Sequence, residues 1–154
     1  MVEQIALVVR KAAGNVTILG PVERYAHLRF PVVPDKIENC GPIGGLYTAL
    51  SITEADWNVL VACDMPHVTP EFLIQLFEAA ETADADCLVP ETAGKPDPLC
   101  AVYHRRVAPA AESAIQRKLF KMQDFISTLR TSRWPVRDPR PLSNVNTPSE
   151  WTAR

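Results

Sequence analysis

Trp57-Asn-Val-Leu-Val-Ala-Cys63, followed at once by Asp64-Met-Pro66, is the most informative stretch of this chain. Seven residues dominated by Val, Leu and Ala predict a buried strand, and Pro66 marks the stop that follows. Such a strand delivers its end to the carboxyl edge of a sheet, and in open α/β sheets ligands bind outside that edge. Asp64 is therefore the first candidate for chemistry. A carboxylate there suits a divalent metal site, because Mg²⁺ is commonly held by one or two carboxylates plus substrate phosphate oxygens. By residue type alone Asp64 is equally a turn or helix-capping residue. Its position favours the site.

Upstream, Val2, Ile5, Ala6, Val9, Ala12 and Ala13 recur at helical spacing and Gly14 follows as a stop, so the chain opens with a helix. Val16 to Leu19 and Val32-Val33 predict short strands, the second ending at Pro34-Asp35. Gly41-Pro-Ile-Gly-Gly45 then runs into Leu46, Ala49, Leu50 and Thr53, a glycine-rich loop entering a helix. Downstream, Thr69 is an N-cap with Pro70 at the first helical position, and Phe72, Leu73, Leu76, Phe77 and Ala80 form a buried face. Cys87 to Val89 and Leu99 to Tyr103 predict further strands, with Pro98 suited to a strand's first residue. Two helical stretches, 106–118 and 121–130, lead to a Pro-rich segment, Trp134 to Pro141, read as a surface connection. Thr147-Pro-Ser-Glu150 is a capping box opening a short terminal helix. Strands alternating with helices predict an α/β fold with a mostly parallel sheet covered on both faces.

The 154 residues, 47% hydrophobic, suit one domain spanning 1–154. The formal charge of −2 comes from interspersed charges, which argues against nucleic acid or a membrane surface as partner. Cys40, Cys63, Cys87 and Cys100 fall in no CxxC spacing and read as small core hydrophobes of a reducing cytoplasm. No signal-peptide pattern or apolar run of spanning length is present, so the expected location is cytoplasmic. His27, His67 and His104 lack metal-ligand spacing, which argues against zinc. No Ser or Cys nucleophile pattern appears either.

Further candidates each carry an ordinary reading beside the functional one. Gly41, Gly44 and Gly45 would let backbone approach a phosphate at a helix N-terminus, or would simply make a tight turn with close packing. Asp35 would accept from a nucleotide base or ribose, or sit in a surface turn. Asn144 and Asn146, on alternate residues, lie on one side of an extended segment and suit a heterocycle with donors and acceptors, such as a pterin. Asx-turn chemistry is the alternative. Arg117 and Lys118 would meet an anionic substrate or form a solvated pair.

Taken in order, Val33-Pro-Asp35, Gly41-Pro-Ile-Gly-Gly45, Val59-Leu-Val-Ala-Cys-Asp-Met-Pro66, Pro98-Leu-Cys-Ala-Val-Tyr103 and Asn144-Val-Asn-Thr-Pro148 resemble the molybdenum cofactor guanylyltransferase family over almost the whole chain. The resemblance implies a three-layer Rossmann-like fold of the nucleotide-sugar-transferase type. It also implies transfer of GMP from GTP to the phosphate of molybdenum-molybdopterin, release of pyrophosphate and a need for Mg²⁺. Asp64 would hold the metal and act as the catalytic residue, Asp35, Gly41, Gly44, Gly45 and Asp64 would contact the nucleotide, and Asn144, Asn146 and Lys118 would face the pterin substrate. Molybdoenzymes or their chaperones would be the protein partners. Two alternatives remain: a homologue that binds cofactor or partner without turnover, and a nucleotidyltransferase using CTP or a sugar phosphate.

Family members open with a strand and a glycine-rich loop that grips the triphosphate, whereas this sequence starts at the helix Val2 to Ala13. The expectation is therefore of an N-terminally truncated domain, with further residues upstream in the natural protein. In the chain as written, the neighbours of that central strand would stand roughly 9–10 Å apart, two strand spacings, with unpaired edges beside 16–19 and 57–63.

Overall fold

The computed structural model describes residues 1–145. Helix α1 (Val2–Ala13) ends at Gly14, whose φ of 84° is the left-handed stop expected there. Strand β1 (Ile18–Leu19) leads through a short helix α2 (Val22–Tyr25) and a 3₁₀ turn to β2 (Val32–Val33). Helix α3 (Pro42–Ile52), β3 (Trp57–Val61) and α4 (Pro70–Thr82) follow, with the Thr69 hydroxyl accepting from the Phe72 amide as the cap of α4. The second half comprises β4 (Cys87–Thr92), β5 (Lys95–Pro96), β6 (Cys100–His104), α5 (Ala108–Gln116), α6 (Met122–Ser127) and β7 (Thr131–Pro135).

Alternate residues of the central strands build two separate cores, which makes the molecule three-layered. Cys87, Val89, Ala101 and Tyr103 face a core with α3, α5 and α6. Leu88, Cys100 and Val102 face the other, with Phe72, Leu73, Leu76 and Ala80 of α4 and the flank of α1. This is the α/β, Rossmann-like arrangement. The pairing is more mixed than simple alternation of strand and helix implies: β1–β2 and β4–β7 are parallel, whereas β3–β6, β4–β6 and β4–β5 are antiparallel.

Several local readings need correction. The segment from Trp134 is not a loose surface connection, because Trp134 and Pro135 belong to β7 and pair with Pro90 and Glu91 of β4. Its prolines hid a strand that lies at the sheet's margin, where proline is tolerated. Strand β3 stops at Val61, is half-buried along its length, and leaves Cys63 exposed rather than in the core. Cys40, Cys87 and Cys100 are buried as expected. Strand β6 starts at Cys100, so Pro98 precedes it. The capping box at Thr147–Glu150 lies outside the described residues.

Among the described residues the strands form two sheets, β1–β2 and a five-stranded sheet in which β3 pairs only with β6. The open edges beside 16–19 and 57–63 are thus present. Between them runs a groove of about 1370 Å³, walled by α1, β1, β3 and one face each of α3 and α4. No helix among the described residues is long and apolar enough to cross a membrane.

The far end of the sheet is tied by Asp86, which accepts from Arg106 Nε at 2.8 Å and from Arg130. The Arg106 hydrogen bond, with Arg130 adding to it, holds the Asp86 carboxyl below its ordinary range. A lowered folded pKa stabilises the fold fully above the unfolded carboxylate value of about 3.9, and the contribution is lost as pH falls through the lower folded value. Asp86→Asn should therefore lower the melting temperature at neutral pH. The gap to wild type should close as the pH is taken below about 4; a gap that stays constant would show that the charge is immaterial.

Candidate active site

Asp64 is positioned by backbone bonds on two sides. The Ala62 amide donates to the Leu99 carbonyl at 2.8 Å, the chain turns, and the Asp64 carbonyl accepts from the Val145 amide at 2.8 Å. Met65 and Val68, 1% and 3% exposed, anchor the turn in the second core. The Asp64 Oδ1 atom is buried and has no hydrogen-bond partner among the described residues. Such an oxygen is costly to leave unmatched, and a hard divalent cation is the ligand that an isolated carboxylate oxygen fits. No group of three or more His, Cys, Asp or Glu among the described residues is placed to hold a metal. A cation here would have at most two such protein ligands, Asp64 among them, with the remaining positions filled by water or by oxygens of a substrate.

Asp35 follows β2, and Thr48 fixes the loop that carries it. The fully buried Thr48 hydroxyl donates to the Gly44 carbonyl and accepts from the Lys36 amide, both at 2.9 Å. Sequence reasoning missed this clamp, because nothing marks one Thr in a helix as the acceptor for a distant loop. Asp35 Oδ1 is a second buried oxygen without a partner, and burial raises the Asp35 carboxyl above its usual range. A Cβ built on Gly45 would lie 3.8 Å from that oxygen.

The three glycines divide in role. Gly41 caps α3 at φ 65° with open space around it, so its backbone conformation requires glycine. Gly44 is a packing residue: a Cβ would meet the Ile37 carbonyl at 3.1 Å and the Cys40 Cβ at 3.2 Å. Asp35, Gly41 and Gly45 line the groove, which continues along β3 to Cys63, the residue before Asp64; Gly44 does not line it.

Of the remaining candidates, Asn144 is exposed next to the Val145–Asp64 bond, while Asn146 lies outside the described residues. Lys118 sits exposed on the turn after α5 with φ 58°, where its amide donates to the Ile115 carbonyl at 3.0 Å. Asp97 was missed altogether. Its amide donates to the Pro90 carbonyl at 2.8 Å, and its carboxyl is pushed up by burial, opposed by a hydrogen bond from the Leu99 amide. The described lining of the groove contains Glu54, Asp56, Glu78 and Glu81 but no Lys or Arg.

Cys63 is the exposed thiol of the four, and burial pushes Cys87 up to about 11. A thiol reagent should therefore label one cysteine per native chain, at Cys63. Rapid labelling of all four would contradict the packing described for Cys40, Cys87 and Cys100.

With this geometry in place, the comparisons with known proteins are consistent with one another. Residues 1–132 match the MobA-like NTP transferase domain. A Flavobacterium johnsoniae protein named "Probable molybdenum cofactor guanylyltransferase" is 27% identical over 97% of this chain and 79% of its own length. A protein of the same name from Pelotomaculum thermopropionicum is 32% identical over 97% of this chain and 76% of its own. Among solved structures, molybdopterin-guanine dinucleotide biosynthesis protein A from Archaeoglobus fulgidus superimposes with a TM-score of 0.77 at 27% identity, covering 97% of this chain and 82% of that one.

Proposed function

The chain belongs to the MobA-like NTP transferase domain family, and on that basis we propose that it transfers GMP from GTP to molybdenum-molybdopterin, releasing pyrophosphate. Its enzyme class is nucleotidyltransferase; the choice of nucleotide and acceptor is the proposal. The observation that carries it is the buried Asp64 Oδ1, without a partner among the described residues, in the turn that follows β3; the Asp64 carbonyl ties this turn to the segment that bears Asn144.

Asp35 and Gly45, at the groove's wall, would receive the nucleoside, with the unpartnered Asp35 Oδ1 accepting from a base or ribose donor. The N-terminus of α3, capped by Gly41, would turn its positive dipole end toward a phosphate, although Pro42 has no amide to donate and that of Gly44 donates to the Gly41 carbonyl at 3.1 Å. Asp64 would hold a divalent cation, Mg²⁺ in this proposal, which when bound neutralises phosphate charge. Asn144, with Asn146 beyond it in sequence, would face the pterin. An acceptor phosphate oxygen attacks the α-phosphorus as the bond to pyrophosphate breaks. The protein's share of that step is positioning rather than covalent chemistry.

A specific observation favours a second reading. The described groove wall has no Lys or Arg to meet the β- and γ-phosphates, which suits a chain that binds the pterin cofactor or a partner without turnover. Pyrophosphate release assayed with molybdenum-molybdopterin and GTP, CTP or UTP separates the readings. The proposal expects release that requires the acceptor and prefers GTP by about a hundredfold or more in kcat/KM, the discrimination available to a site that hydrogen-bonds its base. A preference for CTP would move the chain to another nucleotide, and acceptor binding without release would establish the second reading.

A further inference from the structure

The antiparallel register of β3 and β6 pairs Trp57 with His104, Val59 with Val102 and Val61 with Cys100. One more sheet-like bond, from the Ala62 amide to the Leu99 carbonyl, carries the same register past the end of the ladder. Beyond that bond both segments turn, and the two turns lie side by side, with Asp64 two residues after Ala62 and Asp97 two residues before Leu99, near enough for the Asp64 charge to act on the Asp97 carboxyl. Asp97 is held there from three directions. Its amide donates to Pro90 of β4, its carbonyl accepts from the Cys100 amide at 3.3 Å, and the neighbouring Pro98 carbonyl accepts from the buried Tyr103 hydroxyl at 2.7 Å. Two carboxylates brought close to each other repel unless something neutralises them. Neither forms a salt bridge among the described residues, although the Lys95 ammonium is close enough to act on Asp97. The Asp64 Oδ1 atom is buried and unmatched among the described residues, and a cation between the pair would reconcile the two charges.

We propose that Asp97 supplies the second carboxylate of the divalent-cation site headed by Asp64. The assignment rests on the reading of Asp64 as the cation-bearing residue and extends it. One- or two-carboxylate cradles completed by substrate oxygens are what Mg²⁺ and Mn²⁺ accept. The pair also explains why the segment between β5 and β6 is fixed so firmly: a ligand on a loop pinned to β4 and β6 keeps its place as substrates come and go.

The test is direct Mn²⁺ binding to the purified chain, followed by titration with spectroscopic detection of free Mn²⁺ and without any nucleotide or turnover. Asp97→Asn should weaken Mn²⁺ binding by about tenfold or more, the scale on which groups supporting a metal act. The loss should persist in about 1 M KCl, where the screening length is roughly 3 Å and a merely distant charge no longer matters. Binding within twofold of wild type, or a loss that vanishes at high salt, would overturn the assignment of Asp97. Asp64→Asn run alongside keeps the two readings apart: if it too binds Mn²⁺ like wild type, the cation reading of Asp64 itself fails. Melting curves establish that the variants fold, and Asp97→Ser, judged by the same criterion, replaces Asp97→Asn if that protein does not.

Discussion

Asp64→Asn should lower the rate of nucleotidyl transfer by about 10²–10³-fold, equivalent to about 3–4 kcal/mol of transition-state stabilisation. The substitution keeps the shape of the side chain and leaves untouched the bond between the Asp64 carbonyl and the Val145 amide. What it removes is the negative charge on a buried oxygen that no described residue satisfies. Because that charge is unmatched in the protein alone, its removal should leave the melting temperature unchanged or slightly higher. Loss of activity with stability retained is the signature of a residue kept for its ligand. Turnover within a few-fold of wild type would reject the role given to Asp64, and a fall in both quantities would show that the carboxylate serves the fold.

The largest effect on stability is expected at Phe125. It is 0% exposed on α6 and packs in the core formed with α3 and α5, beside Met122, Ile126, Ala111 and Ile115. Truncating a buried Phe to Ala removes transfer free energy and leaves a cavity, a loss of about 3–5 kcal/mol. Against a total of about 5–15 kcal/mol for an ordinary domain this is about a fifth or more of the stability, or roughly 10 °C in melting temperature. The Asp64 turn is anchored in the other core, through Met65 and Val68. At a temperature where Phe125→Ala remains folded, its turnover per folded molecule should therefore match wild type. A urea midpoint unchanged by the substitution would mean that α6 is not packed as described.

The longer helices and the covering of the sheet on both faces were legible in the sequence because their signals are local, whereas the four-residue α2 carried no such signal. Gly14 stops α1, Thr69 and Pro70 start α4, and the apolar spacing of both helices survives in the fold. Strand β7 was not legible, since its pairing with β4 lies more than 40 residues away and its prolines argue for a loop. Within the site, Asp64 was readable as a carboxylate following an apolar run, and Asp35 as one following a short strand. Gly44 shows the limit of composition: a glycine in a glycine-rich loop looks like a phosphate contact, and only its distances to Ile37 and Cys40 show that it is there for packing. Asp97 and Thr48 could be found only through hydrogen bonds between segments distant in sequence, Ala62 to Leu99 and Lys36 to Thr48, which no single-sequence pattern encodes.

The groove also changes how the electrostatics of the site are understood. Its described wall is acidic, so in the proposed reaction attraction for a triphosphate would come from the first turn of α3 and from a cation at Asp64. The most direct measurement is transfer of label from α-³²P GTP in the presence of Mg²⁺ and molybdenum-molybdopterin. The label should move into a pterin–guanine dinucleotide with one pyrophosphate released per transfer, and chelation of the metal should abolish it. An acceptor that binds yet stays unlabelled, with the nucleotide recovered intact, would contradict the proposed reaction.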